Sequence, residues 1–213
     1  PTAGSTAPAA QPFRFGQINL QAERWGGVDD ASGTRGDWLA DEMRCSVYCL
    51  AEVTETARDH IRAAIPGGAD RWRVYPQGMS AVLFDASKWA ATGRDSVFFG
   101  AKDNGIHGAV RAQLVNKSNR QALDVIAVHI RPGVAIPGTD AQKLAAKMED
   151  IAKALTLVRP GMRTIVAGDW NTKYSATAAW PGGFVRATPA LDSSDTDGEQ
   201  PIDATYTYGL TVR

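Results

Sequence analysis

Hydrophobic positions along this chain fall into short strand-like runs and three helix-like segments. Phe13–Gln21 reads as a first strand, followed by a Gly-rich polar loop over 26–36. Trp38, Leu39, Glu42 and Met43 recur at helical intervals, and Val47–Val53 is an apolar strand. Thr54 or Thr56 can cap a helix over Ala57–Ile65, which Pro66-Gly67-Gly68 would end. The texture then changes to consecutive strands: Arg71–Tyr75, Ser80–Asp85, Ser96–Phe99, Ala109–Asn116 and Leu123–His129, with a hairpin turn over Asn116–Asn119. A long helix is predicted over Asp140–Val158, capped by Thr139 or Asp140, with Leu144, Met148, Ile151 and Leu155 on one stripe. Arg163–Ala167 is a short buried strand, and Ile202–Tyr208 is the last one. Strands and helices mixed in this way, with meanders between, predict an α/β fold in which two sheets pack face to face. No repeat or linker divides the chain. The expected organisation is a flexible tail over residues 1–12, rich in Ala, Pro, Ser and Thr, and one domain over 13–213.

Charge narrows the partners only a little. Twenty-three basic residues balance twenty-three acidic ones, so no basic excess advertises a polyanion. No apolar run approaches the roughly 20 residues needed to span a bilayer. The first residue is not Met, so an upstream piece is expected to have been removed or left out, and localisation is left open. If the run Arg44–Glu52 is all strand, Cys45 and Cys49 point to one face about 13 Å apart at the extended rise. A disulfide needs Cα atoms within about 7 Å, so both are expected as free, buried thiols.

Chemistry gathers at strand ends. In Val166-Ala167-Gly168-Asp169-Trp170-Asn171 an apolar strand delivers a carboxylate and an amide two residues apart, although Gly-Asp-x-Asn is equally good turn chemistry. Ile126-Ala127-Val128-His129 ends on an imidazole and Tyr48-Cys49-Leu50-Ala51-Glu52 on a carboxylate. Asn19 lies on the first strand and Asp203 on the last. Singly, each suits a hydrogen-bonded or solvated structural residue. Asp195-Thr196-Asp197-Gly198 imitates a calcium loop but has Ser193 and Ala204 at the first and twelfth positions, so it reads as an acidic loop.

Taken together, the order Asn, Glu, His, Asp-x-Asn, Asp at successive strand ends resembles the metal-dependent endonuclease/exonuclease/phosphatase family, over about Phe13–Gly209. The strand Gly78-Met79-Ser80-Ala81-Val82-Leu83-Phe84 is also similar to a family position. The resemblance implies a four-layer α/β/β/α sandwich of two mixed sheets flanked by helices, and a divalent-metal-dependent phosphodiester hydrolase. A nuclease is slightly favoured over a lipid or inositol phosphatase. It implies that Glu52, helped by Asn19, holds Mg²⁺ or Mn²⁺. Asp169 would orient or deprotonate the attacking water, Asn171 and His129 would donate to phosphoryl oxygens, and Asp203 would help fix the centre. Arg111 is a candidate phosphate contact, and Trp170, inside the motif, would border the substrate.

One departure stands against this. The family closes on a strand ending in Ser-Asp-His, and no Asp-His follows Asp203; the only such pair, Asp59-His60, falls on a predicted surface helix. His107, in a Gly-flanked loop, is a candidate substitute. Without the last strand a sheet edge is expected to stand open, covered by a neighbouring protein. The alternatives are therefore a chain that continues, a partner that completes the site, or a catalytically weak or inactive domain serving as a binding or structural component of a larger assembly.

Overall fold

The computed structural model describes residues 12–19, 44–100, 106–171, 180, 182–187 and 203–211. The tail over 1–11, the helical spacing around Trp38 and the acidic loop around Asp195 lie outside these residues.

Four strands form one sheet: β1 (Phe15–Asn19), β2 (Val47–Ala51), β3 (Trp72–Gln77) and β4 (Ser80–Asp85), in the order β1-β2-β4-β3. Six form the other: β5 (Trp89–Phe98), β6 (Gly108–Asn116), β7 (Ala122–His129), β8 (Thr164–Asp169), β9 (Val185–Arg186) and β10 (Asp203–Tyr208), in the order β5-β6-β7-β8-β10-β9. Each sheet has one parallel pair, β1–β2 and β7–β8, among antiparallel neighbours, so both are mixed. Helix α1 (Glu55–Ala64) covers the first sheet and α3 (Asp140–Leu155) the second, with a single turn, α2 (Gly68–Arg71), between α1 and β3.

The layers follow from side-chain alternation along each strand. On β7, Val125 and Ala127 enter the core between the sheets, whereas Ile126 and Val128 face α3. On β8, Ile165 and Ala167 point inward between the sheets and Val166 outward to α3. The first sheet divides in the same manner, with Cys49 and Val82 inside and Leu50 and Leu83 under α1. Both faces of the central strands are thus apolar, which explains the unbroken hydrophobic runs. Each fully buried Val, Leu or Ile stabilises the fold by roughly 1.5–3 kcal/mol.

Helix α1 begins at Thr54, whose side chain accepts from the Ala57 N–H at 3.2 Å, and buries Ala57 and Ile61 at a four-residue interval. Thr139 and Gln142 close a reciprocal capping box on α3. The face of α3 includes one charge: Asp150, fully buried, receives two hydrogen bonds from Arg131, at 2.7 and 2.9 Å. That bidentate pair fastens the helix to the segment just after β7.

Several elements differ from the sequence reading. β5 begins at Trp89 rather than Ser96, because its exposed half is polar and lacks a hydrophobic signature. The edge expected to stand open beyond β10 is partly covered by the chain itself, where Arg186 and Val185 pair with Tyr206 and Thr207. Both cysteines are free; Cys49 is buried, and Cys45, half-buried, precedes the strand. Burial pushes the Cys49 thiol far above its ordinary range, and its Sγ reaches the Ile126 carbonyl across the sandwich at 3.5 Å.

Gly168 is the tightest point of the parallel β7–β8 pair. Its φ is +145°, and a Cβ there would overlap the Val128 carbonyl. Gly168→Ala is therefore expected to lower stability by roughly 2–4 kcal/mol through combined overlap and backbone strain. Denaturant unfolding with an unchanged m-value would check this, and a loss below the experimental error would contradict the crowding.

Candidate active site

Register brings the strand-end residues together. In the parallel pair β7–β8, His129 stands opposite Asp169, and across the antiparallel pair Asp203 stands opposite Asp169. Asn19 stands opposite Ala51 in the parallel pair β1–β2, one residue before Glu52. The two parallel pairs end at the same edge of the sandwich, so residues from both sheets meet there. By alternation, His129 and Asp169 continue the series of side chains facing between the sheets.

Glu52, His129 and Asp169 each offer one ligand atom, and these atoms lie within 4.8 Å of one another. His129 and Asp169 are only 4% and 1% exposed, while Glu52 is half-buried and opens the cluster outward. The Asn19 Nδ2 donates to a Glu52 oxygen and to a second oxygen on Asp169, both at 3.3 Å, and so spans the two sheets. Asn171 holds Asp169 from the other side. Its backbone N–H donates to Asp169 Oδ1 at 2.7 Å, and its Nδ2 donates to Asp169 Oδ2 at 3.1 Å and to the Ile130 carbonyl at 2.8 Å.

Two of the three non-glycine residues with positive φ among the described residues are Glu52, at 52°, and Asn171, at 46°. The third, Arg120, sits in the hairpin turn between β6 and β7. Left-handed backbone costs of order 1 kcal/mol or more at such positions, and at a strand end it redirects the side chain. Here it turns Glu52 and Asn171 into the same space.

His129 Nε2 is 3.8 Å from Asp169 Oδ2, beyond hydrogen-bond length. Burial pushes the imidazole down to about 3, and the neighbouring His107 adds to that, so the ring is neutral and the pair is not an ion pair. The His107 ring packs on it at 4.5 Å between centroids. The His129 Nδ1 is buried with no protein partner among the described residues.

Two sequence-derived assignments change, and a third residue is placed by its backbone alone. Arg111 does not join the cluster: Val110 and Ala112 face between the sheets, so Arg111 faces α3, where it donates to the Leu157 carbonyl and pairs with Asp95. A phosphate at the cluster is on the wrong side of the sheet for it. Trp170 is fully buried, edge-on to Trp180 and Tyr206, and borders no open surface. The backbone of Asp203 is placed next to Asp169, but its side chain lies outside the described residues.

The sequence reading missed two contributors. Gln17 donates to the Gly168 carbonyl at 3.2 Å and accepts from the Thr205 hydroxyl at 2.7 Å, bracing both sheets beside the cluster. Its two-residue spacing from Asn19 was the available signal, since strand period places both on one face. Lys147 of α3 donates to the Asn171 carbonyl, and no local motif announces it. Burial lowers the Lys147 ammonium, the charge of Asp169 opposes this in part, and Lys143 adds a smaller lowering.

No family model matches the chain, and no curated protein matches it. Solved structures do. D. rerio TDP2 humanized by 14 mutations shares 13% identity at a TM-score of 0.68, covering 92% of this chain and 82% of that one. D. rerio TDP2 complexed with single strand DNA product gives 11%, 0.62, 91% and 82%. An endonuclease/exonuclease/phosphatase from Bacteroides vulgatus gives 10%, 0.65, 93% and 87%, and a Bacteroides thetaiotaomicron mannosyl-6-phosphatase gives 12%, 0.66, 92% and 84%. At these identities the likeness is one of fold: the chain has the endonuclease/exonuclease/phosphatase-type α/β sandwich.

Because folded His129 resists protonation while the unfolded ring titrates near 6.5, the unfolded state binds the extra proton first. The stability this group contributes is full above about pH 6.5 and is lost as pH falls towards about 3. The slope is at most about 1.4 kcal/mol per pH unit for this single site. In urea unfolding measured between these pH limits, His129→Gln is expected to flatten the decline; an unchanged slope would exclude His129 as its source.

Proposed function

We propose that this chain is a divalent-cation-dependent phosphodiester hydrolase acting at the Glu52–His129–Asp169 cluster, with nucleic acid favoured over a lipid or inositol phosphate. The observation that carries the reading is convergence. Two carboxylates, an imidazole and two amides from both sheets share one edge of the sandwich, in a fold also found in TDP2 bound to a DNA product and in a sugar phosphatase.

The donor set fits a hard cation such as Mg²⁺ or Mn²⁺. Glu52 and Asp169 supply carboxylate oxygens less than 5 Å apart, the geometry one small ion can bridge. The Asn19 side chain already lies between them, and its carbonyl oxygen becomes a ligand if the amide is turned over. The imidazole of His129 is a softer donor, better suited to the phosphate than to such an ion. When bound, the cation would neutralise a phosphoryl oxygen and the charge developing on it.

The chain's own residues supply the rest. Asp169 is the group placed to orient a water and take its proton. With two donors from Asn171 and one from Asn19, it is held in a single rotamer and remains an acceptor. Asn171 thus acts first as the residue that fixes Asp169, a different emphasis from the direct phosphate donor that the resemblance implies. Neutral His129 carries one ring N–H, which can donate to a phosphoryl oxygen without adding a buried charge. The burial of His129 and Asp169 strengthens each of these interactions.

The test is hydrolysis of bis-p-nitrophenyl phosphate and nicking of supercoiled plasmid, with Mg²⁺ or Mn²⁺ and with chelator. Activity should require the cation. Asp169→Ala and Glu52→Ala should each lower kcat/KM by about 10²–10⁴-fold, the range expected for a lost acid–base or charge-stabilising group. Activity that survives both substitutions, or none from the folded chain with either metal, would overturn the reading.

A further inference from the structure

The segment that follows β7 and the helix α3 form one wall of the candidate site, and α3 is locked there at two points. Arg131 grips Asp150 with two hydrogen bonds, and one turn earlier Lys147 reaches the carbonyl of Asn171. Asn171 is the left-handed residue that holds Asp169, so the Lys147 ammonium stands at the lip of the cluster.

An ammonium has three donors. One is used on Asn171, and among the described residues no second acceptor or carboxylate reaches Lys147 within bonding distance. It is nevertheless half-buried, and it feels the charges of both Asp169 and Lys143. Lys143 lies four residues earlier, one helical turn along the same face. Like charges at that spacing repel along a helix. Elsewhere on α3 the exposed face relieves such repulsion, as where Lys153 pairs with Glu149 at 2.8 Å. Beside the site it does not. Gly133 faces it without a side chain: a Cβ there would come within 3.9 Å of the Lys147 Nζ.

We propose that Lys147, backed by Lys143, is a substrate-binding residue of this site that takes a non-bridging oxygen of the phosphate group. This rests on the hydrolase reading and extends it. The cation side of the cluster, at Glu52, and the lysine side, beyond Asn171, would grip one phosphate from opposite ends, with Asp169 between them. The pair also reconciles a chain of zero net charge with an anionic substrate: the positive charge needed is local.

The probe is inorganic phosphate, titrated calorimetrically into the full chain in the presence of Mg²⁺. Lys147→Gln, which retains a donor for the Asn171 carbonyl but loses the charge, is expected to weaken phosphate binding about tenfold or more, as for loss of a charge-assisted hydrogen bond. Lys147→Arg should recover most of the affinity, and Lys143→Gln should cost about two- to threefold. Lys153→Gln, on a lysine already paired, is the control and should match wild type. In steady-state assays with bis-p-nitrophenyl phosphate, Lys147→Gln should raise KM more than it lowers kcat. If Lys147→Gln fails to fold, the wild-type chain still decides the matter: phosphate should protect Lys147 from acetylation, read by mass spectrometry, and should not protect Lys153. Unaltered phosphate affinity in Lys147→Gln, or acetylation of Lys147 indifferent to phosphate, would show that Lys147 is only a strut for Asn171. Phosphate binding that depends on Lys147 in a chain without hydrolytic activity would sustain this inference and sink the hydrolase reading; the converse would do the opposite.

Discussion

The parallel pairing of β7 with β8 is the constraint on which the remaining geometry depends. It sets His129 beside Asp169, puts both on the face between the sheets, and allows this only because Gly168 has no Cβ to meet the Val128 carbonyl. A one-residue slip of β8 would turn Asp169 towards α3 and Trp170 into the inter-sheet core. The hydrophobic alternation on either side forbids that slip: Ile165 and Ala167 fill one core, Val166 and Trp170 the other. The register of the site is thus enforced by apolar packing several residues away from any polar group.

From that pair the architecture spreads outward by short polar links. Gln17 joins β1 to the Gly168 carbonyl and to Thr205, so three strands from two sheets share one side chain. Asn19 does the same for the carboxylates, and Asn171 and Lys147 tie the turn after β8 to α3. Nearly every polar group at this edge contacts a residue distant in sequence. Such links cannot form until both sheets are in place, which suits a site that requires the sandwich to be fully assembled.

The same fact explains what could be read from the amino-acid sequence and what could not. Strand ends at Ala51, His129 and Asp169 were legible because an apolar run stops abruptly at an ionisable residue, and these residues do converge. Helix starts at Thr54 and Asp140 were legible from their caps. Arg111 was misassigned because a basic residue on a strand was taken as a phosphate contact without counting strand parity, which places it under α3. Trp170 was misassigned because its motif neighbours are polar, while alternation sends its ring into the core. Lys147 had no local signature: its role arises from a helix packed beside a turn some two dozen residues later.

The cysteine that pairs with nothing has an effect on this geometry. Cys49 lies mid-strand in the first sheet, and its sulfur reaches a carbonyl of the second at Ile126, near the middle of the sandwich. Glu52 lies three residues on, just past the end of that strand, and His129 three residues on, at the end of the other. The spacing between the two sheets at that contact therefore acts as a calliper, with the carboxylate on one jaw and the imidazole on the other. A side chain of different bulk at position 49 would open or tilt the jaws together, altering the gap at the mouth without touching any group in it. Variation deep in the shared core is thus a route to reshaping the mouth of the cluster from a distance.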